Sequence, residues 1–136
     1  MNIVVIDGQG GGIGKRLIET LVPKLPATAE IIAVGTNSIA TSAMLKAGAS
    51  AAATGENPVL VNCTSADIIT GPMGIVLANA MYGEITPAMA VAVGASSAQK
   101  VLVPVDRCNT HIAGTKEMTL AQYIEDAVQN ILYITT

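Results

Sequence analysis

Two rhythms of apolar and polar residues alternate along this chain. Short runs of apolar, mostly β-branched residues at 2–7, 30–35, 49–53, 68–70 and 100–105 read as strands. Between them apolar residues recur every three or four positions, the spacing of one helical face. Ile13, Leu17 and Leu21, flanked by Ile18 and Leu25, oppose Lys15, Arg16, Glu19 and Lys24, and Pro23 and Pro26 end that helix. Thr36 or Asn37 caps a second helix that turns Ile39, Ala43, Met44 and Ala47 inward and stops at Gly48. Residues 59–63 fit either a strand in a hairpin or a helix capped by Asn57 with Pro58 at its first position. The helix is the expectation, because a parallel sheet needs a crossover there.

A short helix is expected after Gly71-Pro72, and Thr86-Pro87 opens another that runs to about Ser97. Thr119 caps the last helix, with Leu120, Tyr123, Ile124, Ala127, Val128 and Ile131 along one side. Strands that are apolar on both faces and alternate with helices indicate a doubly wound, mostly parallel sheet. The expected architecture is one Rossmann-like α/β domain over residues 1–136, with five strands in the order 3-2-1-4-5 and helices on both faces.

Composition narrows the classes of function. Half of the 136 residues are apolar and 12% are charged, which excludes disorder. No apolar window approaches the roughly 18–20 residues of a spanning helix, and the first strand lacks the basic and long apolar regions of a signal peptide. A cytoplasmic protein with reduced Cys63 and Cys108 is expected, with no membrane partner. The net charge of −3 and the absence of Phe and Trp argue against nucleic acid. Between Ile31 and Ala98 the only Lys, Arg, Asp or Glu residues are Lys46, Glu56, Asp67 and Glu84. So apolar a stretch suits a chain partly covered by another copy, and a homo-oligomer is expected.

The densest chemical signal follows Asp7: Gly8-Gln9-Gly10-Gly11-Gly12-Ile13-Gly14, five glycines in seven residues between a strand and a helix. Peptide N–H groups at a helix start lack internal acceptors and attract anions. Gln9 stands where a Walker P-loop needs its first glycine, and Arg16 where it needs Ser or Thr. The strict Gly-x-Gly-x-x-Gly pattern also fails, at Ile13. Gly8, Gly12 and Gly14 instead spell Gly-x-x-x-Gly-x-Gly, which resembles the fingerprint of short-chain dehydrogenases. The Tyr-x-x-x-Lys that their chemistry needs does not follow Tyr82, Tyr123 or Tyr133.

The acid that often binds ribose hydroxyls after the second strand is replaced by Gly35-Thr36-Asn37. Thr36 and Asn37 are neutral candidates for that contact. NAD(P) or another adenine nucleotide is thus a possible ligand without its usual acid. Asp7 either accepts hydrogen bonds from the following glycines or serves as a metal ligand or acid–base group. Gly71 and Pro72 lie over a base or sugar, or form an ordinary turn. Asp106-Arg107-Cys108-Asn109-Thr110-His111 holds the only His. There Arg107 is a candidate phosphate or carboxylate ligand. Cys108 and His111 are either an activated thiolate with its base or a small thiol near an exposed imidazole. Two Cys and one His lack zinc-site spacing.

The opening Val-Ile-Asp-Gly-Gln-Gly-Gly-Gly-Ile-Gly-Lys resembles the start of a family of small bacterial proteins known as a domain of unknown function. Gly35-Thr36-Asn37, residues 40–48, 53–57 and 67–69, Gly83-Glu84-Ile85-Thr86-Pro87 and Arg107-Cys108-Asn109 extend the resemblance over nearly the whole chain. It implies a Rossmann-like domain in the cytoplasm and brings no activity. Three expectations remain: a protein that binds a nucleotide or dinucleotide, acting as a sensor; an enzyme on a phosphorylated or acidic substrate; and a structural oligomer.

Overall fold

The computed structural model describes residues 1–105 and 109–136. Five parallel strands run in the order β3-β2-β1-β4-β5, as the alternation predicts. They are β1 (Asn2–Asp7), β2 (Glu30–Gly35), β3 (Ala51–Thr54), β4 (Ile68–Pro72) and β5 (Gln99–Val103). The helices are α1 (Gly12–Leu21), α2 (Ser38–Lys46), α3 (Glu56–Cys63), α4 (Pro87–Ala95) and α5 (Leu120–Thr135), with 3-10 turns at Val22–Lys24 and Met73–Val76.

Alternate side chains of β1 enter different cores because successive residues of a strand face opposite ways. Ile3 and Val5 join Leu17, Ile18 and Leu21 of α1, Met44 of α2 and Ile124, Val128 and Ile131 of α5. Val4 and Ile6 join Val59 of α3, Ile85, and Met89 and Val93 of α4. Each fully buried aliphatic side chain contributes about 1.5–3 kcal/mol, so the central strand, packed on both faces, is the anchor of the fold. All four pairings are parallel, which places the carboxyl ends of the five strands along one edge.

The caps follow side-chain chemistry. The Asn37 side chain accepts the Ala40 N–H at 2.9 Å, so Asn37 rather than Thr36 caps α2. Thr86 caps α4 through the Met89 N–H. Thr119 and Gln122 form a reciprocal capping box on α5.

Three local expectations are corrected. Ile39 points outward and is 70% exposed, because Ala40 and Met44 form the buried face of α2. Residues 59–63 are helical, but α3 starts at Glu56 after Gly55, whose φ of 108° makes the turn. Asn57 therefore lies inside the first turn, and Pro58 still needs no N–H partner there. Gly71 and Pro72 do not form a loop. They extend β4, opposite Leu102 and Val103, and both are buried. A Cβ on Gly71 would lie 2.1 Å from the Ile6 carbonyl oxygen, so only glycine permits this approach of β4 to β1. No helix among the described residues is long and apolar enough to cross a membrane.

Candidate functional site

The Gly8–Gly14 loop lies where β1 ends and α1 begins, on the shared carboxyl edge of the sheet. Its glycines divide into two groups. A Cβ on Gly11 would meet the Ala40 Cα at 2.8 Å, and Gly11 has φ +72° as the N-cap of α1. A Cβ on Gly14 would meet Met44 Sδ at 2.4 Å, and one on Gly8 would meet Met81 Sδ and Thr36 Oγ1, each at 2.7 Å. Packing therefore accounts for these three. A Cβ on Gly10 or Gly12 would meet nothing within 4 Å.

The loop's peptide donors divide in a similar way. Asp7, only 4% exposed, accepts the Gly8 and Gly14 N–H groups on its two oxygens at 2.7 Å each. The Gln9 N–H donates to Glu84 Oε1 at 2.9 Å, and the Gly11 N–H to the Gly8 carbonyl at 2.9 Å. Among the described residues, the N–H groups of Gly10, Gly12 and Ile13 have no acceptor. A cleft of about 250 Å³ is lined by residues 7–13, Arg16 and Leu120. Arg16 makes no ion pair among the described residues. The cleft thus combines unclaimed N–H groups, the positive end of a helix and a guanidinium.

Thr36 and Asn37 are tied up elsewhere. Glu84 Oε1 accepts Thr36 Oγ1 at 2.5 Å and Asn37 Nδ2 at 2.8 Å, and Asn37 Nδ2 also reaches the Gln9 carbonyl at 2.8 Å. Partial burial pushes the Glu84 carboxyl up. Hydrogen bonds from Thr36, the Gln9 peptide and Asn37 outweigh it and hold the group below its ordinary value.

The remaining candidates lie apart from this cluster or outside the described residues. Gly71 and Pro72 are inside β4. His111 is exposed. Arg107 and Cys108 lie outside the described residues, so neither a thiolate–imidazole pair nor a guanidinium contact is placed. Cys63, the last residue of α3, is buried, and burial, partly offset by Lys100, pushes its thiol up to about 11, which leaves it an unreactive thiol at neutral pH.

Glu84, Arg16 and Leu120 were not singled out by the sequence. Glu84 carried a usable signal as one of four charged residues in a long apolar stretch. Helical spacing places Arg16 on the solvent face of α1, and nothing local to Leu120 points to the cleft.

Residues 2–136 match the family described as Domain of unknown function (DUF3842). The chain belongs to this family. No curated protein matches the DUF3842 chain. Among solved structures, a dodecameric FMN-dependent Ubix-like decarboxylase from Escherichia coli O157:H7 is similar at 13% identity and a TM-score of 0.46. The alignment covers 98% of this chain and 92% of that one. A likeness this distant carries no argument about the chemistry of the DUF3842 site, which rests on the geometry above.

Proposed function

We propose that this DUF3842 chain binds a phosphate-bearing small molecule, in the first place a nucleotide, at the Gly8–Gly14 loop. One observation carries the reading. Gly10 and Gly12, the two loop glycines without a packing role, border the peptide donors at Gly10, Gly12 and Ile13 that have no acceptor among the described residues. Bare glycine backbone with unclaimed N–H groups at a helix start is an arrangement that accepts anionic oxygens.

Arg16, one turn into α1, lines the same cleft and offers a planar fork of donors suited to phosphate. Asp7 also lines it, but its two oxygens are engaged by the Gly8 and Gly14 N–H groups. Its role in this reading is to shape the loop.

Thermal-shift and calorimetric titrations with inorganic phosphate, AMP, FMN and NAD test the proposal. A rise in Tm with phosphate-bearing probes is expected, and Arg16→Gln should weaken binding by roughly ten-fold. The absence of any shift at millimolar concentration of every probe contradicts it.

Self-association is a companion proposal. Helix α4 reads Pro-Ala-Met-Ala-Val-Ala-Val-Gly-Ala, with no charged or hydrogen-bonding side chain. Its outer face exposes Pro87, Ala88, Ala95 and Val91, the last at 66%. Such a face is suited to the matching face of a second copy.

A further inference from the structure

A doubly wound sheet that binds a nucleotide commonly carries an acid at the end of its second strand, where it accepts the ribose hydroxyls. Here β2 ends in Gly35-Thr36-Asn37, without one. The fold brings a carboxylate to the same place from 48 residues further along the chain. Segment 77–86 leaves the 3-10 turn after β4 and folds back over the ends of β1 and β2 before entering α4. Its backbone is tightly specified. Asn79, Met81 and Tyr82 have φ of 67°, 58° and 57°, and Gly83 has 90°. Left-handed conformations cost energy for non-glycine residues and persist where surrounding structure imposes them. Here the Asn79 N–H reaches the Ile85 carbonyl at 2.7 Å, the Ile85 N–H reaches the Ala80 carbonyl at 3.2 Å, and both Ala80 and Ile85 are buried. Glu84, beside Ile85, is thereby held at the tip of β2.

The two oxygens of this carboxylate have different surroundings. Oε1 accepts all three donors: the Gln9 N–H at 2.9 Å, Thr36 Oγ1 at 2.5 Å and Asn37 Nδ2 at 2.8 Å. Oε2 accepts none among the described residues. Glu84 is partly buried, yet no buried side-chain oxygen among the described residues lacks a partner, so Oε2 reaches solvent. Partial burial works against the charge, but the three hydrogen bonds outweigh it and keep the group ionised at neutral pH. One oxygen thus fixes the carboxylate, and the other is left as a strong acceptor. Gln9, which donates to Glu84, precedes the Gly10 N–H, the first of the unclaimed donors. The ribose of a nucleotide bears its 5′-phosphate at one end and a 2′,3′-diol at the other, so one sugar can join those donors to Oε2.

We propose that Glu84 is the ribose-recognising residue of the glycine-loop site, whose ligand is a nucleotide with a free 2′,3′-diol. Oε2 accepts the hydroxyls. A 2′-phosphate in their place would meet the carboxylate as a like charge. The proposal rests on the phosphate-binding reading above and names the ligand class for the same site.

Matched pairs test it: calorimetry with AMP against 2′,3′-dideoxy-AMP and with NAD against NADP, on the wild-type chain and Glu84→Gln. The Gln side chain keeps one oxygen for the three donors and replaces the other by a neutral NH2 group. In the wild type AMP should bind about ten-fold or more tightly than its dideoxy analogue, and NAD than NADP. Both ratios should narrow in Glu84→Gln, the second most, because the repulsion of the 2′-phosphate is gone. A wild-type chain that binds AMP and dideoxy-AMP equally well overturns ribose recognition while leaving phosphate binding in place. That comparison needs no variant, so it decides even if Glu84→Gln fails to fold. Ratios unchanged in folded Glu84→Gln overturn the assignment to Glu84. If neither AMP nor inorganic phosphate binds the wild type, the phosphate-binding reading and ribose recognition fall together.

Discussion

Two carboxylates shape the loop from opposite sides. Asp7 holds the N–H groups of Gly8 and Gly14, and Glu84 holds that of Gln9. The role of Asp7 as an acceptor for glycine N–H groups was legible from its position alone, because a short acid before a turn has those donors within reach. Glu84 was not, since its partners Gln9 and Thr36 are 75 and 48 residues away in sequence. Its hydrogen bonds hold the folded carboxyl below its ordinary value, so they stabilise the fold above the unfolded value of about 4.3. That contribution is lost as pH falls through the lower, folded value. The stability gap between the wild type and Glu84→Gln, measured by urea denaturation, should be constant from neutral pH to about pH 5 and shrink below about pH 4. A gap that stays flat to about pH 3 contradicts the account.

The glycine loop joins a strand to a helix by two different uses of the same residue type. Gly11 serves packing, because its positive φ and the nearby Ala40 Cα leave no room for a side chain. Gly11→Ala should therefore cost about 2 kcal/mol or more in urea denaturation, through strain and displacement of α2. A loss below about 0.5 kcal/mol would show that the α1–α2 contact yields easily. Sequence spacing marked the loop but could not sort its glycines, since the sorting depends on α2 and on segment 77–86. The same limit explains Ile39. Period alone put it inward, yet the small Ala40 is what lets α2 lie close to the start of α1.

For the molecule as a whole, strand order and the division of helices between two faces were legible because the central strands β1, β2 and β4 are apolar on both sides. The alternation of strand and helix then leaves few topologies. The site was legible as a loop but not as a cleft, because Arg16, Leu120 and Glu84 meet it only through the tertiary fold. The proposed self-association is argued from surface character. Only four Lys, Arg, Asp or Glu residues lie between Ile31 and Ala98, and α4 has none. Val91→Glu should shift the protein toward monomer in analytical ultracentrifugation without lowering Tm by more than a few degrees, since Val91 is exposed in the single chain. A wild-type chain that is monomeric at micromolar concentration contradicts self-association.

The most direct test of phosphate recognition is calorimetric titration of AMP and inorganic phosphate into the wild type and Gly12→Val, with Tm recorded for each. A Cβ placed at Gly12 would meet nothing within 4 Å beyond its own turn of helix, and Gly12 carries one of the unclaimed N–H groups. The account predicts binding to the wild type, a loss of about ten-fold or more in Gly12→Val, and a Tm within a few degrees of wild type. Undiminished binding by a folded Gly12→Val would contradict it.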